Sequence, residues 1–277
     1  MPILVCANHK GGVCKTTTAV NLAAGLALAG YSTCLVDCDP QANATLSTNY
    51  QLEISTCLAD AVIKFDGRPL VPIEDAIYQT AVENLDLVPS RLSLEEIHSQ
   101  VLGAVPRLTK AIRTLGARYE IVVIDTPPSL GPLFIGPLQE ATHVIIPVTP
   151  SILSLDGLVA LVGAIRDVRT GRDDGNPRIL GTLLSAYDSR NSIGQHTAEV
   201  LAADPELGPV LFNSRISINT RLADTPGEHL PVYCSSWRGP SLDKAIAQFD
   251  ELVAEVIDRL QLKSGRKNLR AVKRGAK

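Results

Sequence analysis

Two lysines five positions apart bracket a glycine-containing stretch near the start of the chain, Lys10-Gly11-Gly12-Val13-Cys14-Lys15-Thr16-Thr17. Gly11 and Gly12 allow the backbone to curl until successive N–H groups face one point, which is how a loop grips phosphate. Lys15 offers a point charge suited to β- and γ-phosphates, and Thr16 a hydroxyl suited to Mg2+. The strict phosphate-loop spacing, G-x-x-x-x-G-K-[ST], is not met, because His9 and Cys14 stand at its glycine positions. Lys10, at the mouth of the loop, can project away from its own nucleotide toward a second subunit. Downstream, Asp37, Asp39 and Asp125 each stand at or just after the end of an apolar run. A carboxylate so placed can orient a water in line with a γ-phosphate, or reach a metal through water.

These residues need strands to end where they stand. Ile3–Ala7, Ser32–Val36, Glu120–Ile124, Val144–Val148 and Leu180–Ser185 read as short buried strands, and Thr16–Ala29 as a helix of small and apolar residues ending at Gly30. Strands alternating with helices predict an α/β fold, a mostly parallel twisted sheet flanked by helices. In such sheets ligands sit beyond the carboxyl ends of the strands, where Asn8, Asp37, Asp39 and Asp125 would converge. Leu242, Ala245, Ile246, Phe249, Leu252, Val253, Val256, Ile257 and Leu260 recur at helical spacing and predict an amphipathic helix over Leu242–Leu260.

Lys10–Thr17 resembles the deviant Walker A loop of the ParA/MinD family of P-loop ATPases, K-G-G-x-x-K-[ST], which commonly has Gly where Cys14 stands. Leu35-Val36-Asp37-Cys38-Asp39-Pro40-Gln41-Ala42-Asn43 is similar to that family's L-V-D-x-D-P-Q-x-N, and Ile121–Leu130 to its Walker B segment. The likeness continues through Ile145–Val148, Leu155–Leu158 and Tyr187–Arg190, and through Asn219–Pro226, close to N-V-R-L-x-E-A-P. It covers roughly residues 1–260, and is nearest to the short, Soj-like members. The resemblance implies ATP and Mg2+ as cofactors, with nucleotide held by Lys10, Gly11, Gly12, Val13, Cys14, Lys15, Thr16 and Thr17. It implies Lys10 reaching across an ATP-sandwich homodimer, Lys15 and Asp39 as catalytic groups, and metal at Thr16 and, via water, Asp125. Ile218, in the segment where relatives approach adenine, is the candidate base contact. Arg190 and Arg221 match arginines that bind nonspecific DNA in the chromosomal and small plasmid branch. Read alone, they are equally at home in surface salt bridges. A ParB-like or other cargo adaptor would stimulate a weak ATPase, and the cargo would be a plasmid, a chromosome origin or a protein assembly.

Composition bounds the alternatives. Aromatics are 4% against 45% hydrophobic residues, so the core must be aliphatic. No run approaches the ~18 apolar residues of a membrane span, which predicts a cytoplasmic protein, and the resemblance to DNA-binding members implies that it is nucleoid-associated. Residues 263–277 carry seven cations and no acid; removing them from the net −3 leaves −10 on residues 1–262. This division predicts an acidic body over 1–262, which the resemblance makes the ATPase domain, and a basic tail over 263–277, suited to a polyanion or simply solvated. The tail offers only Leu269, Ala271, Val272 and Ala276 as apolar residues, which argues against membrane binding. A MinD-like membrane-associated regulator is thus the alternative. Six cysteines without C-x-x-C spacing, and none between Cys57 and Cys234, fit reduced thiols better than an iron–sulfur carrier. A sequence-specific repressor is expected to carry a helix-turn-helix ahead of the ATPase, whereas here the phosphate loop opens almost at Met1.

Overall fold

Strands that are apolar at every position, rather than at alternate ones, need cover on both faces. The computed structural model, which describes residues 1–48, 53–67, 70–150, 156–220, 222 and 225–263, shows that cover. Its strands are β1 Ile3–Cys6, β2 Thr33–Asp37, β3 Tyr78–Gln79, β4 Leu85–Val88, β5 Ile121–Asp125, β6 His143–Val148, β7 Arg178–Tyr187 and β8 Leu211–Ser217. They form one sheet in the order β3-β4-β2-β5-β1-β6-β7-β8. Every pairing is parallel except β3 with β4.

The α-helices are α1 Lys15–Leu28, α2 Asn43–Leu46, α3 Leu58–Val62, α4 Val101–Arg118, α5 Pro132–Glu140, α6 Asp156–Thr170, α7 Ser192–Ala203 and α8 Pro240–Arg259. Side chains alternate across each strand. Ile3, Val5, Val36, Val122 and Ile124 therefore pack with α3–α7, and Leu4, Cys6, Leu35, Ile121 and Val123 with α1 and α8.

The small residues of α1 have a packing cause. A Cβ on Gly25 would lie 2.5 Å from Val253 Cγ2 and 2.8 Å from Tyr233 Oη, so α1 and α8 approach as closely as they do only over a bare backbone. The predicted amphipathic helix is α8, with Leu242, Ala245, Phe249, Leu252, Val253 and Val256 buried, and Ile246, Ile257 and Leu260 at the rim. Near its end, the Arg259 guanidinium donates to the carbonyls of Leu180, Val210 and Leu211, each at 2.8 Å, which pins the helix to β7 and β8. Among the described residues no helix is long and apolar enough to cross a membrane.

Register positions the chemistry. Asp37 pairs with Asp125 across β2 and β5, and Asp125 with Cys6 across β5 and β1. Both carboxylates thus end on one row with the point where the phosphate loop leaves β1. Here the connections diverge, β1 lying between β5 and β6, which is the switch point where open α/β sheets hold ligands.

Candidate active site

The loop from Asn8 to Cys14 is fixed from within. Asn8, 1% exposed, donates from Nδ2 to the Pro147 carbonyl at 2.8 Å and accepts the Lys10 N–H at 3.1 Å. Gly12 has φ +73°, and Cys14, the residue before α1, has φ 63° and ψ 28°. A side chain in this left-handed region costs about 1–2 kcal/mol. The glycine common at the Cys14 position in the family is therefore explained by backbone geometry, and Cys14 is accommodated with strain.

Lys15 and Thr16 open α1, where unpaired N–H groups and the helix dipole favour an anion. The Lys15 ammonium is 7% exposed and donates to the Lys10 carbonyl at 2.9 Å. Burial lowers its pKa, while Asp125 and Asp39 act in the opposite direction. Thr16 Oγ1 donates to Asp125 Oδ2 at 2.7 Å. Asp125 is fully buried and its other oxygen, Oδ1, has no hydrogen-bond partner. Burial first, then the charge of Asp37, pushes its pKa well above the usual carboxylate range.

Asp37 is equally buried, yet fully engaged. Oδ1 accepts the Asp39 N–H at 3.0 Å, and Oδ2 accepts the Thr45 N–H at 2.7 Å and hydroxyl at 2.8 Å. Burial raises its pKa to about 6 against those bonds. Asp39 is 7% exposed and faces the cavity, its Oδ1 accepting the Gln41 N–H at 2.9 Å. Asp37 is thus a holder of the Asp39 turn, and Asp39 the carboxylate available to the ligand.

These groups share a cavity of about 550 Å3 lined by Gly11, Gly12, Val13, Cys14, Lys15, Thr16, Thr17 and Asp39. It continues past Val20 and Asn21, where Thr225, His229 and Leu230 line it together with Gln41, Asn43, Leu46 and Ser47. Asn21, 2% exposed within the apolar α1, accepts the Val232 N–H at 2.7 Å and so seats the Thr225, His229 and Leu230 part of that lining. The sequence reading missed it; the one available signal was an asparagine in a helix of alanines and leucines.

The metal fit can be judged on chemistry. Asp37, Asp39 and Asp125 repel one another, and Asp125 Oδ1 is an orphaned buried acceptor beside the Thr16 hydroxyl. A divalent cation relieves both. Among the described residues no cluster of three or more His, Cys, Asp or Glu side chains forms a complete metal cage. That suits Mg2+, which takes few protein ligands and shares the rest with phosphate and water.

The remaining predicted residues lie elsewhere. Lys10 is half-buried at the loop mouth. Ile218 is 65% exposed and is not among the residues lining the cavity. Arg190 follows β7 at the same sheet edge, its side chain 88% exposed and paired with Asp188 at 3.0 Å. Arg221 and residues 264–277 lie outside the described residues.

Residues 1–177 match the family model described as an AAA domain. The chain is 37% identical over 222 residues to the chromosome-partitioning ATPase Soj of Thermus thermophilus, spanning 79% of this chain and 82% of that protein. It is 33% identical over 234 residues to the sporulation initiation inhibitor protein Soj of Bacillus subtilis, spanning 83% and 89%. Among solved structures, cobyrinic acid a,c-diamide synthase from Mycobacterium smegmatis with bound ATP analog and magnesium matches with a TM-score of 0.74 at 26% identity, over 96% of this chain and 97% of that one. With a phosphate loop, two buried strand-end carboxylates and these relatives, the chain belongs to the ParA/MinD family of P-loop ATPases, on its Soj-like side.

Proposed function

We propose that this protein hydrolyses ATP in the cavity above β1, dimerises when it binds ATP, and in that state holds nonspecific DNA while positioning or partitioning a cargo. The observation that carries the ATPase reading is the pairing of Thr16 with Asp125, whose second oxygen is left without a partner in a cavity shared with Lys15 and Asp39. The loop N–H groups and the buried Lys15 would bind the β- and γ-phosphates. Thr16 and, through water, Asp125 would hold Mg2+, which supplies charge neutralisation of the phosphates when bound. Asp39, fixed by Asp37 through its own N–H, would orient the attacking water. Lys10, at the mouth, would serve a partner subunit's nucleotide, and a ParB-like or other adaptor would stimulate turnover.

DNA contact is assigned to Arg190 and Arg221, with the tail over 263–277 as an auxiliary to the 1–262 body. Arg190 supports this by its exposure at the nucleotide edge, although phosphate must compete with Asp188 for its guanidinium. Lys263 belongs to the other edge, its carbonyl accepting the Tyr31 hydroxyl at 2.6 Å just ahead of β2. The tail therefore starts far from Arg190 and would add contacts of its own.

Sedimentation and DNA binding with ATP and Mg2+ test the proposal together. Wild type should dimerise and bind unrelated duplexes alike, with log affinity falling against log salt by about 0.9 per phosphate neutralised. Lys10→Ala should bind ATP yet remain monomeric, and Arg190→Ala should dimerise yet bind every duplex more weakly. Binding to anionic vesicles without binding to DNA would replace this reading with the membrane-associated one.

A further inference from the structure

One wall of the nucleotide cavity carries a feature that phosphate binding does not require. His229 has φ 57°, one of six non-glycine residues with positive φ among the described residues. Three of the six, Cys14, Ala42 and His229, lie in or beside this cavity. Strained backbone that persists beside a ligand site is held there by other interactions, and is a pointer to function.

The interaction holding His229 crosses 183 residues of sequence. Its ring Nδ1 donates to the Leu46 carbonyl at 2.9 Å. Leu46 is the last residue of α2, where carbonyls lack helical partners. From there the hydrogen bonds run back to the hydrolytic carboxylate: the Leu46 N–H donates to Ala42 O at 2.9 Å, and the Ala42 N–H to Asp39 O at 2.9 Å. On its other side, the His229 segment is anchored to the phosphate-loop helix through Val232 and Asn21. With phosphates at Lys15 and Thr16, the nucleoside end of a ligand has its room along Val20 and Asn21, toward Leu230 and His229.

The geometry points to His229 as a positioning residue for hydrolysis. It joins the wall that receives the nucleoside to the segment that carries Asp39, so that filling the cavity's far end fixes Asp39 at its near end. This assignment rests on the ATPase reading above. It concerns the placement of Asp39, and His229 itself need not touch the phosphates.

The test is a comparison of full-length wild type, His229→Gly and His229→Asn. Glycine accepts the positive φ and removes the hydrogen bond, whereas asparagine tolerates the same backbone and keeps a donor. The turnover number at saturating ATP and Mg2+ should fall at least about fivefold in His229→Gly, while the dissociation constant for a fluorescent ATP analogue stays within about threefold. The melting temperature should stay within a few degrees of wild type, because relieved strain offsets the lost hydrogen bond and the added freedom of glycine in the unfolded chain, and His229→Asn should recover at least about half of the wild-type turnover. Any other combination overturns the assignment. Unchanged turnover in His229→Gly removes the link to Asp39. A parallel loss of affinity and turnover makes His229 a nucleotide contact, and a lowered melting temperature without rescue by asparagine makes it a structural pin. A wild-type chain that binds ATP and never hydrolyses it would overturn the ATPase reading as well, so the two failures are distinguishable.

Discussion

Replacing Asp37 by Asn should leave the protein folded yet remove one contribution that makes its stability fall as pH rises. Asp37 is fully buried between Asp39 and Thr45, and burial raises its pKa from 3.8 to about 6. At ~1.36 kcal/mol per pH unit, keeping that carboxylate ionised in the fold costs ~3 kcal/mol at pH 7. The sign follows from proton binding. Between pH 4 and 6 the folded chain holds this proton and the unfolded chain releases it, so stability from this group is lost as pH rises through the folded pKa. Asparagine carries no such charge. Its single oxygen can keep the two Thr45 bonds, but its amide then faces the Asp39 N–H, leaving a buried donor unpaired at a cost of about 1–3 kcal/mol. Near pH 4 the variant should therefore be less stable than wild type by about 1–3 kcal/mol, and near pH 7 equal or more stable by up to ~2 kcal/mol. Urea unfolding of both proteins in EDTA, from pH 4 to 7.5, measures the difference. A stability difference that does not change with pH would refute the reasoning, because it would mean Asp37 is not a desolvated charge.

Asp39→Ala should still dimerise with ATP but hydrolyse it at least about tenfold more slowly, a barrier increase of ~1.4 kcal/mol, as read by phosphate release. Gly25→Ala should lower stability by about 1–3 kcal/mol, seen as a lower urea midpoint with an unchanged slope, because its methyl must displace Val253 and Tyr233.

How much of this was legible in the sequence depended on whether the information was local. The phosphate loop and the Asp37, Asp39 and Asp125 strand ends are runs of adjacent residues whose types dictate a strand, a turn and a helix start. They were readable without any tertiary contact. β4 was not, since Leu85–Val88 is only four residues, too short a run for Asn84 and Pro89 on its flanks to single out as a strand, and β8, where Phe212, Ser214 and Ile216 alternate inward, resembles an ordinary polar segment. The far wall of the cavity was hidden for a stronger reason. Thr225, His229 and Leu230 are held at the site by contacts far apart in sequence, among them Val232 to Asn21 and His229 to Leu46, pairings separated by 211 and 183 residues. Ile218, which motif matching assigned to the base, is largely exposed and does not line the cavity. A strained, non-glycine φ cannot be read from residue type at all, and it is what singles out His229, whereas Cys14 was marked by standing where the family commonly has glycine.

The central claim is that Lys15 and its loop bind the triphosphate, and calorimetric titration of ATP with Mg2+ into wild type and Lys15→Ala tests it most directly. Losing a buried, charge-assisted phosphate contact should weaken binding by roughly 1.5–3 kcal/mol, about one to two decades in dissociation constant. Equal affinities in the two proteins would contradict the account, because the buried ammonium at the head of α1 would then have no part in holding nucleotide.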